Sequence, residues 1–210
     1  GGCAPQQVFP ALVMTSANLS DCPVLIDNGE AVRALSGIAD GYLLHDRVID
    51  ARCDDSLLRV AESGAYRFFR RSRGFAPQPV FTDFDVTGIM ALGAEQKAGF
   101  VLGKGHAAFC SQHIGDLKNA ETLLHYEQQI ARFEKLFGAV PQRLVCDLHP
   151  DYLSTAYAKR RAAAEHLPLL AVQHHWAHMA SAMADARLTG PCIGLCWDGT
   201  GLGTDGTVWG

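Results

Sequence analysis

The chain has 210 residues, 48% of them hydrophobic and 19% charged, and a formal net charge of -4. That composition suits one large globular domain or two smaller ones, and its acidic balance argues against a broad nucleic-acid-binding face. No apolar run approaches the roughly 18 residues of a membrane span. The opening Gly1-Gly2-Cys3-Ala4-Pro5-Gln6-Gln7 lacks the basic and apolar regions of a signal peptide. The seven cysteines are odd in number and form no C-x-x-C pair, which predicts a reducing, cytoplasmic protein without disulfides. The chain begins without methionine and stops just past a turn, so it reads as a piece of something longer.

In chain order, residues 11–14 read as a strand that runs into the polar loop Thr15-Ser16-Ala17-Asn18. Ser16, Asn18 and free backbone N–H groups suit an anion or nucleotide there; a plain turn or an N-cap accounts for the same residues. A short helix is predicted over 29–35, with strands over 42–45, 57–60 and 65–69. Residues 1–86 carry eight arginines and no lysine. Arginine's planar fork binds phosphate or carboxylate through two parallel hydrogen bonds, which lysine cannot imitate. The cluster Arg70-Arg71-Ser72-Arg73-Gly74 closes the last of these strands. Residues 75–83, with two prolines, read as an extended linker, and the boundary between two units is placed near residue 86.

The second part is more regular. Strands are predicted over 89–92, 98–102 and 107–110, with Gly103-Lys104-Gly105 as a hairpin turn. Leu123, Tyr126, Ile130, Phe133 and Phe137 recur every three or four residues, which predicts an amphipathic helix over 119–137. A strand over 144–146, a helix over 155–165, a strand over 169–172, a helix over 176–186 and a strand over 193–197 follow. Three antiparallel strands and then alternating units imply an α/β fold with parallel strands and crossover helices. The order resembles the ribonuclease-H-like core shared by actin and sugar kinases. In such a core, a first hairpin and a later glycine turn grip nucleotide phosphates from two sides. Gly93, Glu95 and Lys97 occupy the first position, with Lys97 suited to a phosphate and Glu95 to a metal or ribose. Asp198, Gly199, Thr200 and Gly201 occupy the second. Ordinary hairpin turns account for the same residues.

The segment Gln173-His174-His175-Trp176-Ala177-His178 stands at a strand-to-helix junction. His174 and His178 are four apart, on one helical face, where two imidazoles can share a metal. His175 points about 100° away and reads as a neighbour. A third ligand is needed, and Asp198 is one source. His113 with Asp116, and His149 with Asp151, are further polar clusters at strand ends, where open α/β sheets bind ligands.

Six motifs in order carry a resemblance over nearly the whole chain. They are Thr15-Ser16-Ala17-Asn18-Leu19-Ser20, Arg52-Cys53-Asp54-Asp55-Ser56, Arg70-Arg71-Ser72-Arg73-Gly74-Phe75-Ala76-Pro77, Ser111-Gln112-His113-Ile114-Gly115-Asp116, Asp147-Leu148-His149-Pro150-Asp151-Tyr152 and Asp198-Gly199-Thr200-Gly201. Together they resemble the HypF family of NiFe-hydrogenase maturation carbamoyltransferases. The resemblance implies that residues 1–86 are the C-terminal part of a YrdC-like domain. Residues 87–210 would then be the first lobe of a TsaD-like domain, and the family's acylphosphatase and zinc-finger regions are not among these residues.

In that family, carbamoyl phosphate is hydrolysed to carbamate, which ATP converts to carbamoyl-adenylate. The carbamoyl group then passes to the C-terminal cysteine of HypE, to become the cyanide ligands of the hydrogenase iron. The resemblance implies ATP with Mg, a Zn or Fe ion at the histidine pair, a HypE-like acceptor, carbamoyl phosphate and ATP as substrates, and neither nucleic acid nor membrane. Ser16 and Asn18 would contact the nucleotide or carbamoyl group, and Arg71 and Arg73 the phosphates. His174 and His178 would hold the metal. Gly93, Glu95, Gly199, Thr200 and Gly201 would line the second nucleotide site, with Asp198 and Lys97 as catalytic residues. The family's run of three histidines has Trp176 in third place here. Alternative readings are an O-carbamoyltransferase, a tRNA threonylcarbamoylation enzyme of the same two folds, or a non-catalytic nucleotide-binding scaffold.

Overall fold

The computed structural model describes residues 10, 11, 14–20 and 22–210. The strand predicted over 11–14 lies partly outside the described residues, as does Cys3. The helix α1 (Asn28–Leu35) forms where the sequence places it, with the Asp27 carboxylate accepting from Glu30 N at 2.8 Å as its N-cap. Strands β1 (Leu57–Val60) and β2 (Tyr66–Arg70) make an antiparallel pair with an irregularity at its Leu57 end. Tyr66, Phe68 and Phe75 cluster edge-to-face beside it, with centroids 4.8–6.4 Å apart. Residues 42–45 form no strand. Leu43 is fully exposed there, and an apolar run without a partner strand does not make a sheet.

The segment read as a linker carries β3 (Pro79–Phe81), which pairs antiparallel with β6 (Ala107–Cys110) at the edge of a six-stranded sheet. The sheet order is β3-β6-β5-β4-β7-β8. Here β4 is Ile89–Ala91, β5 is Val101–Lys104, β7 is Arg143–Asp147 and β8 is Leu169–Val172. The β6-β5-β4 meander is antiparallel, whereas β4-β7-β8 are parallel. Helices α2 (Ala120–Phe137), α3 (Leu153–Glu165) and α4 (His174–Asp185) fall between or after the later strands. This is the expected ribonuclease-H-like order. Residues 193–197 remain extended and unpaired among the described residues, against the predicted strand. Ile193, Leu195 and Trp197 are 98%, 81% and 94% exposed, so their apolar pattern has no face to bury against. Beyond them, β9 (Gly201–Leu202) and β10 (Val208–Trp209) form a short hairpin.

Among the described residues, every buried apolar side chain lies at Val86 or later. Met90, Leu92, Phe100, Leu102, Tyr126, Ile130 and Leu144 are almost wholly buried between the sheet and α2 and α3. Phe100 meets Tyr126 and Phe133 edge-to-face, and the Tyr126 hydroxyl donates to Leu92 O at 2.5 Å. That bond satisfies the one polar atom the core ring carries. The sheet so anchored presents the C-terminal ends of β4, β7 and β8 on one side, where Gly93, Asp147 and Gln173 emerge.

Candidate metal centre and the cavity between the two units

Helix α4 starts at His174 because Gln173 caps it. Gln173 is buried, and its Oε1 accepts from Trp176 N at 3.0 Å. Its Nε2 donates to Leu202 O at 3.1 Å and to His175 Nδ1 at 2.9 Å. The same amide therefore caps the helix, ties it to β9 and sets His175 as the Nε2–H tautomer. His175 Nε2 then carries a proton and lies 4.0 Å from Asp198 Oδ2, beyond hydrogen-bond reach.

His174 and His178 bring their Nε2 atoms to 3.2 Å, and His174 Nε2 is 2.8 Å from Asp198 Oδ2. His178 Nε2 is 3.7 Å from the same oxygen. His174 Nδ1 donates to Asp147 Oδ2 at 2.6 Å, so the Nε2 of a neutral His174 presents a lone pair to this point. Asp147 is held in turn, its Oδ1 accepting from His149 N at 2.8 Å. Asp198 Oδ2 and His175 Nε2 are buried without a hydrogen-bond partner among the described residues.

Converging lone pairs with an orphaned carboxylate oxygen call for a cation. Two nitrogens bound to one tetrahedral zinc at about 2.0–2.1 Å sit about 3.3 Å apart, which is the spacing found here. The residues fit a divalent metal held by His174, His178 and Asp198, with Asp147 orienting the first histidine from behind.

The glycine turn lies against these rings. A Cβ on Gly201 would come within 2.5 Å of His175 Cε1 and 2.9 Å of His174 Cδ2, so only glycine lets the loop approach. Asp198 Oδ1 accepts from Gly199 N at 2.8 Å, whereas Thr200 is exposed. Gly93, at φ 65°, lines a cavity of about 420 Å³ together with Asp147, His174 and His178. A side chain there would strike Gly99 O at 2.6 Å.

Its turn-mates point elsewhere. Glu95 Oε2 accepts from Leu153 N at 2.7 Å, at the start of α3, and burial raises its carboxyl pKa against that bond. Lys97 is exposed, its N–H bonds Asp116 Oδ1 at 2.8 Å, and it does not line this cavity. Of the turn, Gly93 and Ala94 line the cavity beside the candidate metal centre, whereas Glu95 and Lys97 do not.

Ser16 and Asn18 do share a cavity, of about 350 Å³, but its cationic wall differs from the prediction. Arg52 and Arg70 line it. Arg71 instead donates to Gln78 O at 2.7 Å, and Arg73 bonds Cys53 O at 3.0 Å and pairs with Asp55 at 3.6 Å. Along a strand, alternate side chains face opposite sides, so one register step decides which arginine turns inward. Ser16 Oγ donates to Asn18 Oδ1 at 2.5 Å, and Asn18 Nδ2 donates to Leu19 O and Cys22 O, so this loop is also a well-formed turn.

The opposite wall carries His113, Asp116 and Lys118 from the second part. The two parts are bonded directly around it. His113 N donates to Arg71 O at 3.0 Å, Gln112 Nε2 to Arg52 O at 3.3 Å, and Arg132 pairs with Asp50. Asp147 and Arg70 stand inside two of the six motifs, but no ligand spacing marks either; the strand-end position of Asp147 is its signal in the sequence.

The fold and the two centres define a class: a YrdC-like unit joined to a Kae1-like unit that carries a two-histidine, one-carboxylate centre. Comparisons with known proteins agree. The family model described as "HypF Kae1-like domain" matches residues 85–185, and the Sua5–YciO–YrdC model, described as "Telomere recombination", matches residues 5–72. Carbamoyltransferase HypF of Rhizobium leguminosarum bv. viciae is 46% identical over 200 residues, covering 95% of this chain and 26% of its own. Carbamoyltransferase HypF of Synechocystis is 42% identical over 201 residues, with 95% and 26% covered.

Among solved structures, a full-length HypF in the phosphate- and nucleotide-bound form aligns with TM-score 0.87 at 47% identity, over 93% of this chain and 30% of that one. HypF of T. kodakarensis aligns with TM-score 0.85 at 39% identity, over 94% and 26%. The chain belongs to the HypF family and spans about a quarter of the length of the curated relatives it matches. No helix among the described residues is long and apolar enough to cross a membrane.

Proposed function

We propose that this chain supplies the end of the adenylating unit and the start of the transfer unit of a carbamoyltransferase of NiFe-hydrogenase maturation. In the first unit, a carbamate oxygen attacks the α-phosphorus of Mg-bound ATP and pyrophosphate leaves, giving carbamoyl-adenylate. In the second, the thiolate of a HypE-like C-terminal cysteine attacks the carbamoyl carbon and AMP leaves. The observation that carries this reading is the convergence of His174, His178 and Asp198 on one point, in a chain that also walls a separate cavity with Ser16, Asn18, Arg52 and Arg70.

Both chemistries need what these centres offer. Charge accumulates on phosphate in the first step, and guanidinium groups and hydroxyl donors stabilise it. In the second, Asp147 fixes the His174 tautomer and Gly201 holds the Asp198 loop against the rings. A divalent cation, Zn or Fe, held by His174, His178 and Asp198 would supply Lewis-acid polarisation of the carbamoyl oxygen or a contact for the adenylate phosphate. A full-length relative is known in a phosphate- and nucleotide-bound form, which supports nucleotide chemistry in the family.

The reading is tested within a full-length HypF carrying this chain's sequence. ATP-dependent carbamoylation of a HypE C-terminal cysteine is expected, and His174→Ala should abolish it while leaving adenylate formation. Partner binding without adenylate formation by the unaltered protein would instead leave a nucleotide-binding scaffold.

A further inference from the structure

Most of the charge around the first cavity is already committed. Arg52 Nε donates to Val24 O at 2.8 Å. Asp116 accepts from Lys97 N and pairs with Lys118 Nζ at 3.0 Å. Arg70 and His113 are different. They face the same space from the two units, and neither side chain makes a hydrogen bond or ion pair among the described residues. They are near enough that the Arg70 charge opposes protonation of His113, with Asp54 and Asp116 acting the other way. Two uncommitted donors, one of them a guanidinium, aimed into one cavity are arranged for an anion of phosphate type.

We propose that His113 and Arg70 together bind the phosphate groups of the nucleotide in this cavity, so that the second unit contributes a ligand-binding residue to the first unit's site. The inference rests on the reading of the first unit as nucleotide-binding. Burial, and then Arg70, hold the His113 imidazole below its ordinary pKa of 6.5. It is therefore neutral near pH 7 and serves as an N–H donor, while Arg70 supplies the charge. The role is separable from folding, because the bond from His113 to Arg71 O is made by its backbone N–H.

The test is calorimetric titration of the whole chain with inorganic pyrophosphate and with Mg-ATP. His113→Ala is expected to weaken pyrophosphate binding about tenfold, the scale of one hydrogen bond to a charged group. Arg70→Ala should weaken it more, and the double variant should lose less than the product of the two, since both groups hold one ligand. His113→Asn, which keeps an N–H donor, should bind more tightly than the alanine variant, and Arg160→Met, exposed on α3 and outside both cavities, should bind like the parent. His113→Phe keeps the ring volume without nitrogens, and carries the same expectation as alanine should that variant lose its fold. If alanine or phenylalanine at 113 binds within twofold of the parent while Arg70→Ala does not, the inference falls and the nucleotide reading stands. If the parent binds neither probe, both fall.

Discussion

His174 gives its Nδ1 proton to Asp147 across 2.6 Å, and this bond determines what the opposite nitrogen can do. Asp147→Asn would leave the ring in place but free its tautomer. Zinc affinity is expected to drop about 10- to 100-fold, measured by chelator competition, with thermal stability of the metal-free chain nearly unchanged. An equal affinity in the two proteins would mean that Asp147 does not orient the ligand.

Gly201 tests the same centre from the loop side. Gly201→Ala places a methyl group inside the contact radius of both His174 and His175. Denaturant melts should show a loss of about 1–3 kcal/mol, the usual cost of overpacking, alongside weaker metal binding. Gly64→Ala makes a useful control, because open space surrounds its Cβ position and only its backbone conformation is strained.

His125 predicts a pH dependence. It is buried in α2, where burial and then the charge of Arg52 push its pKa from 6.5 down to about 4. The unfolded chain takes up the proton near pH 6.5 and the folded chain does not. Stability is therefore complete above about pH 6.5 and falls as the pH drops toward 4. Urea melts at pH 7.5 and 5.0 should differ by about 2 kcal/mol from this group. His113 adds to the loss in the same direction. His125→Gln should remove most of the difference; an unchanged pH dependence would place its origin elsewhere.

Neighbouring arginines on α3 should behave unequally. The Arg161 side chain is 11% exposed and pairs with Glu134 at 2.6 Å and Glu165 at 2.9 Å, whereas that of Arg160 is 59% exposed. Arg161→Met leaves a half-buried carboxylate without its partner and should cost about 2 kcal/mol or more. Arg160→Met should cost less than about 0.5 kcal/mol. Equal melting midpoints for the two variants would contradict the difference in burial.

Local signals served where an element carries its own ends. Helix α2 was legible to within a residue because Asn119 caps one end, accepting from Thr122 N at 2.8 Å, and Gly138 closes the other in a left-handed turn. Strands depend on partners that sequence does not display. Apolar runs over 42–45 and 193–197 pair with nothing among the described residues, whereas the proline-rich 79–81 does pair. Pro79 opens an edge strand, where the missing N–H costs no ladder bond.

The candidate sites divide in the same way. His174 and His178 were readable from helical spacing alone. Asp147 is brought to them only by the parallel pairing of β7 and β8. The arginine cluster was recognisable, yet which arginine enters the cavity depends on how β2 registers on β1 beside its irregularity.

The pairing of β3 with β6 holds the two units on a short tether. Only a short stretch separates β2 from a strand that is already part of the next unit's sheet. The two cavity walls therefore meet at the high effective concentration of a short tether, so a few hydrogen bonds suffice to keep them together. Lengthening that stretch should open the cavity before it harms either unit.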